Sequence, residues 1–222
     1  MSQPALTWTE TGTPVSAQFD DPYFTDGAGL DEARYVFLAG NDLPARLHEG
    51  FQVAELGFGT GLNLLALQQA WRGPGQVKFT SFEAFPLSAS DMERALAPFE
   101  LAGAADLVAA WAQTSGDRRR FELPGVTVEV RIGDARQTLP GWAGRADAWF
   151  LDGFAPARNP ELWEPGLMQE VARHTAAGGT FATYSAAGHV RRALAAAGFD
   201  VARHPGFAGK RHMSRGRREG GA

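Results

Sequence analysis

Four acidic residues, each closing a short apolar run, are the side chains with the most evident chemical use. They are Glu55 after FQVA, Glu83 after VKFTSF, Asp134 after VTVEVRIG and Asp152 after ADAWFL. Carboxylates in such places can accept hydrogen bonds from hydroxyl and amino groups, hold a cation, or move a proton. The first of them opens the pattern E-x-G-x-G-x-G, with Gly57, Gly59 and Gly61 alternating with other residues and Phe58 and Asn63 beside them. Phe51, Val53 and Leu56 read as a buried strand, and Leu62, Leu64, Leu65 and Leu67 begin a packed helix. Glycines between a strand and a helix tolerate positive φ and let a ligand come close to backbone N–H groups at a helix N-terminus. The spacing is not the GxGxxG of dinucleotide binding, and no Gly-Lys-Ser/Thr follows to hold a triphosphate. Glu55 would repel phosphates and suits a ligand that carries positive charge.

Elements of the right kind surround these residues. Residues 1 to about 48 hold a turn-rich segment, TGTPVSAQFDDPYF, and a helical pattern from about Leu30 to Leu38. Phe19, Tyr23, Phe24, Tyr35 and Phe37 are too apolar for a free arm, so this is an extension packed on a main domain at 49–222. From Phe51 the pattern alternates. Strands are expected at Val77–Glu83, Val126–Ile132, Ala146–Leu151 and Gly179–Tyr184, with Phe199–Arg203 opening a closing hairpin. Helices are expected at about Ser88–Leu96, Ala104–Ala112, Glu161–Arg173 and Gly188–Ala197. Alternation of this kind implies right-handed crossovers and a largely parallel sheet covered on both faces. In such a sheet ligands bind at the carboxyl ends of strands, where the four acids recur.

The glycine pattern looks like the first motif of class I S-adenosylmethionine methyltransferases. Glu83 is placed to accept both ribose hydroxyls of such a cofactor, and Asp134 with Ala135 to meet the adenine. For Asp134 the other reading is a helix N-cap ahead of Ala135-Arg136-Gln137. The cofactor-binding set is then Glu55, Gly57, Phe58, Gly59, Gly61, Asn63, Glu83, Asp134 and Ala135.

The segment WFLDGFAPARNPELW, Trp149–Trp163, closely resembles the FLDGFAP-x-x-NP-x-x-W signature of the MnmC methyltransferase family. The similarity extends over GTPVSAQFDDPYF, GLDEARYVFLAGNDLPAR, ELGFGTGLNLL, SFEAFPLS, TYSAAGHVRRALAAAGF and GFAGKRHM, in that order. The resemblance implies a Rossmann-like α/β fold with a mostly parallel seven-stranded sheet. It implies S-adenosyl-L-methionine-dependent N-methylation of 5-aminomethyl-2-thiouridine at the tRNA wobble position, giving 5-methylaminomethyl-2-thiouridine. Many members also carry a C-terminal FAD-dependent oxidase domain. This sequence stops at Ala222, so the expectation is the stand-alone form, without FAD and without oxidase activity. Asp152 is the candidate catalytic residue, aiming the substrate amine and stabilising its positive charge; its other reading is a cap of the following turn. Phe154 would stack on a flipped-out base or serve as a plain core aromatic under the loop. Arg158 and Asn159 would meet phosphate or ribose, or remain exposed loop residues. Asp20, Tyr23 and Phe24 are candidates for a lid over the cofactor, or for core packing. Arg191, Arg192, Lys210 and Arg211 would neutralise phosphates of the anticodon stem-loop.

Composition sets the outer bounds. The 222 residues, 44% hydrophobic and 21% charged, suit one globular domain with a modest extension. With no cysteine there are no disulfides, thiolate metal sites or cysteine nucleophiles, which fits a reducing cytoplasm. MSQPALTWTETG is not a signal peptide, and no apolar run approaches the roughly 18 residues that span a bilayer. His174, His189, His204 and His212 lack ligand spacing and G-x-S-x-G is missing, so no metal and no serine nucleophile are expected. The net charge of −4 conceals a basic C-terminal tail, in which Arg203, Lys210, Arg211, Arg215, Arg217 and Arg218 crowd the last twenty residues. A monomer is favoured. The rival readings are a class I methyltransferase with a small-molecule or protein substrate, a non-catalytic RNA-binding module, and an NAD-dependent oxidoreductase.

Overall fold

The computed structural model describes residues 3–219. Three short antiparallel strands, β1 (Leu6–Trp8), β2 (Pro14–Ser16) and β3 (Asp21–Pro22), form a small sheet of their own. Helix α1 (Gly29–Glu32) runs directly into a π-helical stretch, Ala33–Leu38, and a 3-10 turn, Ala39–Asn41. The main domain follows in the order β4 (Gln52–Leu56), α2 (Leu62–Ala70), β5 (Val77–Glu83), α3 (Ala89–Leu96) and α4 (Ala104–Ala112). It continues with β6 (Arg118–Leu123), β7 (Val126–Ile132), α5 (Ala135–Thr138), β8 (Ala146–Leu151) and α6 (Pro165–Arg173). It closes with β9 (Thr175–Thr183), α7 (Gly188–Ala196), β10 (Phe199–His204) and β11 (Met213–Arg218).

The main sheet has the order β10-β11-β9-β8-β4-β5-β7-β6. Strands β9, β8, β4, β5 and β7 are parallel, whereas β11 and β6 run antiparallel to their neighbours. The mostly parallel sheet expected from the sequence is therefore present, with eight strands in place of seven. The additional one, β6 (RRRFEL), pairs with β7 across a tight turn at the sheet edge. Its alternation is carried by arginines with one exposed face, so it lacks the apolar run by which the other strands are legible.

Central strands are buried on both sides, and their residues divide by parity. Val53, Ala148 and Phe150 face one apolar cluster with α2 and the Ala33–Leu38 stretch. Ala54, Leu56, Trp149 and Leu151 face the other, with α6 and α7. Helix α2 is apolar nearly all round because it lies between the sheet and the N-terminal extension, and Leu62, Leu64, Leu65 and Leu67 are all buried.

Register brings the strand ends level. Leu56 stands opposite Phe82 on one side and Leu151 on the other, so Gly57, Glu83 and Asp152 follow side by side. Between β4 and β8 the strand order reverses direction, which opens a crevice at their carboxyl ends. The stretch expected as a basic tail is, through Arg218, the hairpin β10–β11, with β11 set inside the sheet between β10 and β9. Arg215 pairs with Asp42, Arg217 donates to the Gly178 carbonyl and Arg218 to those of Ala172 and Thr175. Residues 220–222 lie outside the described residues.

One polar side chain fastens the extension to the sheet. The fully buried Asn41 donates to the Phe37 carbonyl (2.9 Å) and the Trp149 carbonyl (3.2 Å), and accepts from the Thr180 hydroxyl (2.6 Å). Replacing it removes three bonds and strands buried partners. Asn41→Ala is expected to lower unfolding free energy by about 2–4 kcal/mol in urea titrations. A loss below about 0.5 kcal/mol would show that this anchor is dispensable.

Candidate active site

A cavity of about 900 Å³ opens at the carboxyl edge of the main sheet. That volume is at the upper end of what small-molecule sites enclose. One wall is the glycine turn after β4, with Glu83 and the Asp134–Ala135 turn; the opposite wall is the loop that starts at Asp152. The extension covers both with Phe19–Thr25 and Glu32.

Within the turn, Gly57 holds φ +85°, and a Cβ there would stand 2.8 Å from the Asp152 carbonyl oxygen. Only glycine lets the two loops meet across the crevice. Gly59, at φ +53°, donates its N–H to Glu83 Oε2 at 2.9 Å, and its Cα faces the Tyr23 ring. Phe58 is buried and stacks on Trp111 with ring centroids 5.0 Å apart, fixing the turn from the side. Gly61 is the N-cap of α2 and does not line the cavity.

Beneath the turn runs a buried polar chain. Asn63, in the first turn of α2, donates from Nδ2 to Glu55 Oε1 (2.9 Å) and to Asp152 Oδ2 (2.8 Å). Glu55 Oε2 accepts from the Ser81 hydroxyl (2.7 Å), and Asp152 Oδ1 accepts from the Gly153 N–H (2.8 Å). Burial pushes the Glu55 carboxyl well above the usual range, against the hydrogen bonds from Ser81 and Asn63. Burial likewise pushes Asp152 up to about 7, opposed by Asn63 and Gly153. Glu55, expected in the cofactor-binding set, lies behind the cavity wall, where it accepts from Asn63.

Glu83 does face the cavity and accepts backbone N–H groups of Gly59 (2.9 Å) and Phe85 (2.6 Å). Burial raises its pKa against those donors. Asp134 lines the cavity too, but its side chain caps α5 by accepting from the Arg136 N–H (2.9 Å) and is gripped by the Arg136 guanidinium. Arg136 holds its carboxyl below the usual range. The N-cap reading therefore describes the side chain, leaving the buried Ala135 and the backbone to face a ligand.

On the other wall, Phe154 is half-buried, stacked on Phe19 (4.7 Å) and edge-on to Tyr23 (5.1 Å). One face is thus already covered. Arg158 lies at the rim in an exposed ion pair with Asp20 (2.9 Å), next to Asn159. Tyr23 and Phe24 both line the cavity and pack against the apolar core, and Asp21 beside them accepts from the Ala155 N–H (2.7 Å). Lys210 departs from expectation. It points into the cavity and donates to Glu32 at 2.6 Å, where the sequence reading placed it on a phosphate. Arg191 and Arg192 are on α7, just beyond the β9 end of the cavity, within electrostatic reach of Arg203.

Asp21, Glu32 and Tyr184 are among the cavity residues that the sequence reading did not name as site residues. Asp21 and Glu32 sit in the extension, where nothing in the pattern marks them. Tyr184 follows β9 directly, so the strand-end rule extended to the fifth strand would have found it; its hydroxyl donates to the Gly153 carbonyl at 2.5 Å. Among the described residues no three His, Asp or Glu come together as a metal site.

The geometry has counterparts in known proteins. A family model described as S-adenosyl-L-methionine-dependent methyltransferase matches residues 100–219. This chain belongs to that methyltransferase family. Among curated relatives, the tRNA 5-methylaminomethyl-2-thiouridine biosynthesis bifunctional protein MnmC of Aromatoleum aromaticum is 48% identical over 96% of the chain and 35% of its own length. The protein of the same name from a Caulobacter species is 44% identical over 95% of the chain and 38% of its own length. The methyltransferase spans about a third of such relatives. The crystal structure of MnmC2 from Aquifex aeolicus superposes with a TM-score of 0.76 at 25% identity, covering 97% of this chain and 70% of that one. A precorrin-6y C5,15-methyltransferase from Geobacter metallireducens shares the fold, with a TM-score of 0.52 at 12% identity, covering 97% of this chain and all of that one.

Three acids of the methyltransferase, Glu55, Glu83 and Asp152, bind protons more tightly folded than unfolded. Between about pH 5 and 7 the folded state therefore holds the extra protons, and stability must rise as pH falls through that window. Asp152→Asn should flatten the slope by close to one proton, about 1.4 kcal/mol per pH unit, between about pH 5 and 6, and by about half of that near pH 7. Urea midpoints from pH 5 to 8 decide this; an unchanged slope in the variant would place the Asp152 titration near that of an ordinary carboxylate.

Proposed function

We propose that this methyltransferase transfers a methyl group from S-adenosyl-L-methionine to the primary amine of 5-aminomethyl-2-thiouridine at the tRNA wobble position. The product is 5-methylaminomethyl-2-thiouridine. The observation that carries the reading is the Asp152 carboxylate, held by Asn63 and Gly153 at the crevice between β4 and β8, facing the glycine turn. Relatives 48% and 44% identical over nearly the whole chain bear a name with that chemistry.

The residues present fit the cofactor. The glycine turn lines the cavity with Gly57, Phe58 and Gly59, and the Glu83 carboxylate at its side suits two ribose hydroxyls. Phe58, Ala135 and the Asp134 backbone would border the adenine, with Gly61 and Asn63 holding the turn from behind. Bound there, S-adenosyl-L-methionine supplies an electrophilic methyl group on a sulfonium centre.

The rest of the work belongs to the chain. Asp152 accepts a hydrogen bond from the substrate amine and turns its lone pair toward the cofactor side of the crevice. A carboxyl pushed up to about 7 is a better proton acceptor than an ordinary one and is still ionised in good part at neutral pH. It can take the proton that the ammonium must lose and release it to water, so that the carboxylate is ionised again when positive charge forms on the methylated nitrogen. Phe154 offers an edge to the uracil, and Arg158 with Asn159 border the ribose at the rim. Arg191, Arg192 and Arg203, on the same side of the molecule, would lie along phosphates of the anticodon stem-loop. The cytoplasm, where tRNA is modified, is the compartment this implies.

Mass spectrometry of nucleosides from tRNA bearing aminomethyl-thiouridine, incubated with the protein and S-adenosyl-L-methionine, should show one added methyl. Turnover should fall as pH drops below about 7, when Asp152 takes up its proton. Asp152→Asn should lower kcat by about 10²- to 10⁴-fold while cofactor affinity stays within a few-fold. No methyl gain with cofactor binding intact would leave the methyltransferase and sink the substrate. For the basic edge, Arg192→Ala should reduce the slope of log K against log salt for tRNA binding by about one. An unaltered slope would remove α7 from the interface.

A further inference from the structure

Lys210 stands on the connection between β10 and β11, after Ala208 and Gly209, which both take left-handed backbone (φ +46° and +79°). The connection is fixed from outside: the Tyr35 hydroxyl donates to the Pro205 carbonyl (3.2 Å), and Phe207 packs on the Tyr35 ring. From there the Lys210 ammonium donates to Glu32 Oε1 (2.6 Å) and stands 5.0 Å from the centroid of the Tyr184 ring. Glu32 is only 8% exposed, and its other oxygen accepts from the Thr25 N–H (3.0 Å). Tyr184 reaches the Asp152 loop through its bond to the Gly153 carbonyl. Three separate elements thus set a carboxylate, an ammonium and an aromatic face around the wall that carries Asp152.

The ionisable groups facing Asp152 are Glu55 on β4, Glu83 on β5, Asp21 on β3, Tyr23 beside it, Glu32 on α1, Tyr184 after β9 and Lys210. Lys210 is the cation of this group. The other cations that line the cavity are turned elsewhere, Arg136 to Asp134 and Arg158 to Asp20. Without Lys210, Glu32 would present a second buried carboxylate to the substrate ammonium, off the line of transfer, and would oppose ionisation of Asp152 by like charge.

We propose that Lys210 is a positioning residue that neutralises Glu32, leaving Asp152 as the carboxylate that receives the substrate amine. The pair sets the pH range over which the pocket works. This inference deepens the amine-methyltransferase reading of the site and rests on it.

The test uses the full chain carrying ¹³C-carboxyl aspartate, with the Asp152 resonance assigned by loss in Asp152→Asn and titrated by NMR. Lys210→Met should raise the Asp152 midpoint by about one pH unit, and Glu32→Gln should lower it. The double variant, Glu32→Gln with Lys210→Met, should return it to the wild-type value, as should Lys210→Arg alone. A midpoint unmoved in Lys210→Met, or a double variant that stays shifted, overturns the proposal. In turnover on aminomethyl-bearing tRNA, Lys210→Met should raise KM several-fold at pH 7 and recover at higher pH; equal loss at every pH would also overturn it. A wild-type protein that methylates no such tRNA refutes the substrate reading instead, and the titration still decides the ion pair.

Discussion

Asn63 gives both hydrogens of one amide nitrogen to two carboxyl groups, and the site depends on that arrangement. Each carboxyl, moved from water into the crevice alone, would cost several kcal/mol in its charged form. Two of them on one donor, Glu55 and Asp152, cannot both ionise cheaply. Burial pushes fully enclosed Glu55 well above the usual carboxylate range, while Asp152, open to the cavity, is pushed up to about 7. The side chain farther from the ligand thus fixes the geometry, and the one nearer to it retains the chemistry. That division needs α2 to begin where it does, so that its first turn faces the ends of both β4 and β8. The apolar strand runs, the register that levels Leu56 with Leu151, and the close approach at Gly57 all serve to bring those two ends within reach of one amide.

Much of this was legible in the sequence. Long apolar or alternating runs such as VKFTSFE and ADAWFL fix strands, and an acid after each marks the edge where a ligand sits. Glu83 and Asp152 line the cavity as that reasoning expects, and so does the glycine turn. Strand β6 was hidden because an edge strand of arginines carries no apolar signal. The strand-end rule also treats every acid alike, although depth decides its role. Glu55 is at 1% exposure behind the turn, while Asp134 spends its oxygens on the backbone and guanidinium of Arg136. Neither depth nor a local hydrogen-bond partner has a period that a sequence can display.

Charge along the chain misled in the same manner. Six cations near the C-terminus read as a basic tail, either a polyanion contact or simply solvated, yet Arg215, Arg217 and Arg218 are spent on Asp42 and on carbonyls beside β9. They help to hold the antiparallel strand β11 beside β9. Lys210 is turned inward by its connection and meets Glu32, a residue 178 positions away in the chain. Pairing over that separation follows from topology, since β10 and β11 return to the β9 side, against which the extension packs.

The extension has consequences for selectivity beyond covering the core. Asp21, Tyr23 and Glu32 all come from it, and all three face the cavity. Of the acids on the cavity wall, Asp134 and Glu32 are matched by Arg136 and Lys210, while Glu83 and Asp152 have no cationic partner of their own. Unmatched carboxylates in a half-closed space attract cations, and a sulfonium cofactor and the proposed ammonium substrate would each bring one positive charge. Glu83 lies on the side of the glycine turn, Asp152 on the opposite wall, and the two cations would meet between them. Loss of a proton from the amine then lowers the repulsion between the partners at the moment they must approach. A carboxyl that titrates near neutrality on the substrate side, and a backbone-held one on the cofactor side, give that sequence of charges a direction.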